Sequence, residues 1–295
     1  MPGSPGRRGT AADEAGDDDS YAIRAIDRAI AVLNAFTIDD PALSLADIAA
    51  RTGLSKPTVF RVLASLRRHG FIVQDEGRGE YRLGFAIVSL AAIRRRQTKV
   101  WEAALPFMRR VRDAVDETVL LCVRMEDERL ILDQIESSQP IRRVAKIGER
   151  VPLYAGAASR VLLADLTDAE IDDYLARTRL ERLGPATITD PDTLRADLRS
   201  VRELGYAVGN NERNVGGNGI AVGVRDYSGG TVAALQVTAP GERWTDDVRA
   251  RALDVLQAAG RDLSAELGFQ PDPPIPDIVD RPPHQPRSSS AGPRS

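Results

Sequence analysis

The chain is short of the residues from which most catalytic and metal sites are built. Among 295 residues there are one cysteine and two histidines, and only 5% are aromatic. A single cysteine, Cys122, excludes an internal disulfide framework and fits a reducing compartment. It lies in an apolar stretch and is expected to be a core residue. His69 and His284 are too distant from it, and from each other, to suggest metal-ligand or nucleophile–base spacing. Gly216-Gly217-Asn218-Gly219 follows no long strand and lacks the Lys-Ser/Thr of a phosphate-binding loop. Asp133 and Glu136 are an acidic pair with no pocket to act in. No apolar run approaches the roughly 20 residues that cross a bilayer. The N-terminus has no apolar signal core, so a cytoplasmic protein without membrane association is expected. These absences argue against an enzyme and imply no cofactor or metal.

What is present is a local concentration of charge. The net charge of −3 excludes a wholly basic nucleic-acid coat protein. Residues 51–84 nevertheless hold seven basic side chains (Arg51, Lys56, Arg61, Arg67, Arg68, Arg78 and Arg82) against three acidic ones (Asp75, Glu76 and Glu80). Such an excess suits phosphate neutralisation. The same segment has the order of a winged helix-turn-helix. Leu45, Ile48 and Ala49 mark a helix capped by Ser44, Gly53 makes the turn, and a second helix spans about 56–69. Ser55 would cap it, with Pro57 in its first turn, where a missing N–H costs nothing. Two short strands then flank Gly77-Arg78-Gly79. Upstream, Ile23, Ile26, Ile30, Val32, Leu33 and Phe36 give a helical apolar stripe over about 22–36.

On the second helix, Val59, Val62, Leu63 and Leu66 share one face and are expected to dock inward. Lys56, Thr58, Phe60, Arg61, Ser65 and Arg68 are left outside as candidate DNA contacts. Phe60 suits a thymine methyl, and Arg61 suits either a guanine edge or a phosphate. Ser55 and Thr58 stand at a helix start, where N–H groups and the dipole favour a phosphate. Arg78, at the wing tip, is placed for the minor groove or the backbone. A helical hairpin with a solvated basic face is the bland alternative.

Residues 1–20 and 269–295, rich in Gly, Pro, Asp and Ser, are expected to be disordered. Between them lie a winged helix at 21–84, a linker helix at 85–104 and a larger domain at 105–268. Pro106 is expected to end or kink the linker, with a further helix at 106–115. In the larger domain, 118–124 and 129–134 read as a hairpin, and 141–145 and 233–237 as short strands. Helices are expected at 156–165, 168–177, 190–205 and 245–267. The glycines from Gly205 to Gly230 suggest that this stretch is dominated by loops. The class is α+β, with a mixed, mainly antiparallel sheet covered by helices.

Residues 21–268 resemble the IclR (isocitrate lyase regulator) family of bacterial transcription factors. The resemblance is carried by Ala25-Ile26-Asp27-Arg28-Ala29-Ile30-Ala31-Val32-Leu33, Leu45-Ala46-Asp47-Ile48-Ala49, Gly53 to Leu63 and Tyr81-Arg82-Leu83-Gly84. It continues through Gly148 to Ala164, Thr187-Ile188-Thr189-Asp190-Pro191, Leu204-Gly205-Tyr206-Ala207 and Asn211-Glu212. It implies a dimerising linker helix, a GAF/PAS-like effector domain, and a dimer or dimer of dimers on palindromic promoter DNA. It also implies a small-molecule effector, an organic or aromatic acid. By position, the effector would meet backbone at Ala157 and Ala158 and side chains of Asn210, Glu212, Gln236 and Thr238. The chain departs from the family at Ser159-Arg160, where Gly-Lys is common, and at Gly219, where a pocket cysteine is frequent. Glu212 could equally stabilise its glycine-rich loop, Ala157 and Ala158 could be small for packing, and Arg160 is expected at a surface or interface. The reading that results is a ligand-responsive, DNA-binding regulator. The rival is a metabolite sensor that acts through a protein partner, with the winged helix as an interaction module.

Overall fold

The computed structural model describes residues 23–75, 77–97 and 99–270, so all of 1–20 and all but two residues of 269–295 lie outside it. The chain divides between Glu102 and Ala103 into two units.

The first unit contains α1 (Arg24–Asn34), β1 (Ala42–Leu43), α2 (Leu45–Thr52), α3 (Lys56–Arg68), β2 (Ile72–Asp75), β3 (Glu80–Leu83) and α4 (Phe85–Gln97). Helix α2 starts where Ser44 and Asp47 cap one another reciprocally. Asp47 N–H donates to Ser44 Oγ at 3.2 Å, and Ser44 N–H donates to Asp47 Oδ2 at 3.1 Å. Gly53 ends it at φ +68°, a left-handed conformation that costs glycine little. Val59 and Leu63 of α3 then drop into a core with Val32, Phe36, Leu43, Ile48, Ile72 and Tyr81, and Val62 and Leu66 pack at its edge. Only part of the α1 stripe is used: Ile23, Ile26 and Ile30 are exposed, because the core meets this helix through Val32 and the following Phe36. Strand β1, which periodicity did not show, pairs Leu43 with Tyr81, so the small sheet has the order β1-β3-β2.

Helix α5 (Lys99–Val115) runs through Pro106 instead of ending there. Proline removes one intrahelical donor, but Ala104, Met108 and Val111 are fully buried on either side of it, and that packing carries the helix onward.

The second unit continues with β4 (Thr118–Met125), β5 (Glu128–Ile135), β6 (Arg150–Pro152), α6 (Ala157–Ala164), α7 (Asp168–Arg177), α8 (Pro191–Leu204), β7 (Tyr206–Asn210), β8 (Gly217–Arg225), β9 (Thr231–Pro240) and α9 (Asp246–Glu266). The strands form one sheet in the order β6-β5-β4-β9-β8-β7, and every neighbouring pair is antiparallel. Helix α6 crosses one face, where a Cβ on Gly223 would lie 3.5 Å from Val161. Helix α9 covers the other face, with Gly260 against Val222, the next residue along β8. Thr167, Asp190 and Thr245 cap α7, α8 and α9 through their side chains.

Two expectations fail here. The stretch from Gly205 to Gly230 is not mainly loop, because Tyr206–Asn210 and Gly217–Arg225 are strands β7 and β8. Their glycines permit close approach to neighbours while the ladder hydrogen bonds persist. Residues 141–145 form no strand. They belong to a loop held by side chains, in which Thr118 Oγ1 donates to the Arg143 carbonyl at 2.6 Å and Ala145 N–H donates to Gln134 Oε1 at 2.9 Å.

Candidate DNA-reading face and ligand cavity

In the first unit, α3 presents Lys56, Phe60, Arg61, Ser65 and Arg68 to solvent, with Thr58 half-buried at its start. Phe60 is 58% exposed, an unusual position for a large aromatic amid polar neighbours. Ser55 occupies the cap position, but its hydroxyl meets Thr58 Oγ1 at 2.9 Å and accepts no backbone N–H. Pro57 lacks an N–H and Thr58 N–H is taken by the Ser55 carbonyl, so any anion here would rely on the two hydroxyls and Lys56 more than on the backbone.

The basic excess is smaller than its count. Arg51 pairs with Asp40 at 2.8 Å and donates to the Ala35 carbonyl, Arg67 holds Gln74 of the wing, and Arg82 has Glu80 at 3.9 Å. Lys56, Arg61, Arg68 and Arg78 carry no ion pair among the described residues. Arg78 is exposed in the turn between β2 and β3.

In the second unit, a cavity of about 240 Å³ opens where α6 begins against the sheet. Its walls are Leu120 and Arg129 from β4 and β5, the 143–149 loop, Gly156 and Ala157, Gly209, the Glu212–Asn214 turn, and Gly219, Gln236 and Thr238 from β8 and β9. Of the residues expected there, Ala157, Glu212, Gly219, Gln236 and Thr238 line it. Asn210 does not: along β7 the buried face carries Ala207 and Gly209, and alternation turns Asn210 outward to solvent. Ala158 lies behind the wall, and its N–H is already donated to Gln236 Oε1 at 3.2 Å.

The start of α6 is therefore satisfied from within. Gly156 N–H donates to Glu212 Oε2 at 2.7 Å. Glu212 also accepts from Arg160 at 2.6 Å, and the same guanidinium reaches Asp197 and the Val208 carbonyl. Arg160 is 3% exposed, which overturns its expected place at a surface or interface: it is the hub of a buried network joining α6, α8 and the β7 turn. Burial pushes the Glu212 carboxyl up, against the pull of Arg160. Two glycines make this fit possible. A Cβ on Gly209 would stand 2.9 Å from Ala157 N, and one on Gly219 would stand 2.8 Å from both Gln236 Nε2 and the Val237 carbonyl. Thr238 Oγ1 donates to the Asn218 carbonyl at 2.7 Å.

Four cationic side chains, Arg129, Arg143, Lys146 and Arg213, line the cavity against two carboxylates, Glu149 and Glu212. None of these four, nor Glu149, was singled out from sequence. Arg129 had a visible signal: alternation along β5 puts it on the same face as Ile131, a fully buried residue. Cys122 is buried in β4, and burial pushes its thiol up. No cluster of three or more potential metal ligands occurs among the described residues, and none of their helices is long and apolar enough to cross a membrane.

Comparison with known proteins agrees with both units. Residues 25–76 match the IclR helix-turn-helix domain, and residues 92–265 match the C-terminal domain of the bacterial transcriptional regulator IclR. The HTH-type transcriptional repressor AllR of Escherichia coli is 33% identical over 250 residues, covering 85% of this chain and 92% of that protein. AllR of Salmonella typhimurium is 32% identical over 248 residues, covering 84% and 91%. Among solved structures, an IclR homologue from Microbacterium hydrocarbonoxydans complexed with 4-hydroxybenzoate superposes with a TM-score of 0.74 at 27% identity, covering 83% of this chain and 99% of that one. An IclR transcriptional regulator from Alicyclobacillus acidocaldarius has the same TM-score at 26% identity, with coverage of 83% and 99%. With a winged helix-turn-helix in its first unit, a helix-covered antiparallel sheet in its second and both domain models matched in order, the chain belongs to the IclR family of bacterial transcriptional regulators.

Proposed function

We propose that the protein is a promoter-binding repressor whose grip on DNA is modulated by a small organic acid held in the cavity beside α6. The observation that carries the DNA half is the exposure of Lys56, Arg61 and Arg68 on α3 and of Arg78 at the wing tip, none of them in an ion pair among the described residues. Phosphate neutralisation needs such side chains, and Thr58, Phe60 and Ser65 share α3 with Lys56, Arg61 and Arg68, with Ser55 at its cap position. The acid half is supported by the cationic excess of the cavity, with Glu212, Gln236, Thr238 and the start of α6 as its polar wall. Relatives named as repressors, and one relative solved with 4-hydroxybenzoate, favour the same reading.

A homodimer, or a dimer of dimers, would place two recognition helices on half-sites about 34 Å apart or a multiple of that distance. Effector occupancy need only change that spacing slightly, a coupling of about 1–3 kcal/mol, to release DNA. The setting is the cytoplasm, where promoter and metabolite meet.

The test is a fluorescence-anisotropy titration with DNA from the intergenic region beside the protein's own gene, against a scrambled duplex. Specific binding is expected, and Arg61→Ala is expected to weaken it by about 5- to 150-fold, the worth of one bidentate base contact. Unchanged operator affinity in that variant would remove Arg61 from the reading helix. Equal affinity of the wild type for every genomic fragment and for the scrambled duplex would favour the partner-binding alternative.

A further inference from the structure

The wall of the cavity holds a buried guanidinium. Arg129 is 1% exposed and lies at the cavity wall. Its Nη1 donates to Gln236 Oε1 at 3.0 Å, and its Nε has no hydrogen-bond partner. No carboxylate pairs with it among the described residues. Glu149, the acid on the same wall, is held by Arg213 at 2.8 Å, and Glu212 is held by Arg160 and the Gly156 N–H. Cys122 is hydrogen-bonded to the guanidinium, but burial pushes its thiol up, away from the thiolate that would serve as a counter-charge. A buried guanidinium without a counter-charge is costly, and a guanidinium with unused donors is a fork shaped for a carboxylate.

Gln236 shows where that carboxylate would sit. Its single Oε1 accepts from Arg129 Nη1 and from Ala158 N–H, so it bridges the buried cation to the first turn of α6. An amide oxygen is a neutral stand-in for a carboxylate oxygen at that point. Gly219 leaves the amide somewhere to turn, since Nε2 lies where a Cβ would otherwise crowd it.

We propose that Arg129 is the carboxylate anchor of the effector, and that the ligand's carboxylate takes the place of the Gln236 side-chain oxygen between Arg129 and the start of α6. The proposal rests on reading this cavity as the effector site. It adds the charge-bearing contact, and it restricts the ligand to an acid ionised at neutral pH whose carboxylate enters first. Neutral amides and esters of the same shape are excluded because they leave the guanidinium uncompensated.

The experiment is thermal unfolding of the full-length protein in sodium formate, sodium benzoate, sodium chloride or benzamide, with the salts at matched ionic strength. Wild type, Arg129→Gln and Gln236→Glu are compared, and DNA binding is followed in parallel. Formate, the smallest carboxylate, fits any carboxylate anchor in a cavity of this size, and benzoate reports how large an acid is admitted. Formate is expected to raise the wild-type Tm above its value in chloride by a few degrees, with benzamide giving no rise. Arg129→Gln is expected to abolish the formate shift. If that variant fails to fold, Gln236→Glu decides: its built-in carboxylate is expected to raise the Tm without ligand and to cancel the response to formate. Formate shifts equal to those in chloride in the wild type, or a formate shift retained in Gln236→Glu, overturn the anchor. Either result with sequence-specific DNA binding intact leaves the regulator reading standing, whereas loss of that binding from the wild type removes the regulator reading itself.

Discussion

Glu212 does structural work at the wall of the cavity. Its carboxylate caps the start of α6 through Gly156 N–H and pairs with Arg160, and both contacts are buried. Burial raises its pKa above 4.5 despite Arg160, so desolvation outweighs attraction and the pair specifies geometry more than it stabilises. Removing one partner is still expensive, since Arg160 would keep only Asp197 as a counter-charge. Glu212→Ala is expected to destabilise the second unit by about 3 kcal/mol in urea unfolding. Glu212→Gln keeps a cap acceptor and isolates the charge. Between pH 4.5 and the raised native value, the folded state binds more protons than the unfolded one, so this group's contribution to stability falls as pH rises through that window. The glutamine variant is expected to lose that component, seen as a wild-type-minus-variant difference that declines with rising pH and then levels. A flat difference would show that Glu212 titrates as a solvated carboxyl. Family position marks Glu212 as an effector-pocket candidate and it does line the cavity, whereas Arg160 is buried and not at the surface expected of it. A long cation on a short helix reads as surface until the tertiary partners Asp197 and Val208 are known.

At the level of the element, helices were legible and glycine-rich strands were not. Capping residues and apolar spacing mark α2 and α3, because those signals are local, and the ranges expected for α6, α7, α8 and α9 agree with the observed ones to within a residue at each end. Strands β7 and β8 were read as loop because glycine is a breaker in isolation. In the fold, Gly209 and Gly219 keep the ladder while giving up side-chain volume to Ala157 N and Gln236, a requirement set by residues far along the chain. The loop at 141–145 failed in the opposite sense: its Ile-Arg-Arg-Val-Ala run was expected to be a short strand, but Thr118 and Gln134 claim its backbone groups. Gly219 supplies the test. An added Cβ would stand 2.8 Å from the Val237 carbonyl, a backbone atom that cannot swing away. Gly219→Ala is therefore expected to lower stability by about 1–3 kcal/mol and, on the proposed reading of the cavity as the effector site, to favour smaller acids. Gly230→Ala is the control, since its Cβ would meet nothing closer than 3.5 Å and its backbone needs no glycine. Equal melting temperatures for the two variants would mean that the strand yields at β8.

Charge is distributed unevenly along the whole molecule. A net charge of −3 would repel a polyanion on average, so attraction has to be local, and the winged helix carries a face of uncommitted cations among the described residues. That region holds seven basic residues, of which Arg51 and Arg82 have carboxylates beside them and Arg67, still charged, is turned to Gln74 of the wing. Four remain per chain, and a dimer gripping two half-sites would offer eight. Each neutralised phosphate contributes about −0.9 to the slope of log K against log salt, which sets a ceiling of about −7 for the dimer. Between 50 and 200 mM salt, operator affinity is then expected to fall by up to roughly four decades. Arg78→Ala, at the wing tip, is expected to reduce the slope by about 2 in the dimer while leaving the preference for operator over scrambled DNA unchanged, as befits a phosphate contact. The cavity cations Arg129, Arg143, Lys146 and Arg213 belong to the other unit, and none of them enters this count. Anisotropy titrations at five salt concentrations measure the slope directly. A slope shallower than −2 would mean that the basic face of α3 is not laid against DNA, and the winged helix would then be better explained as a module for binding another protein.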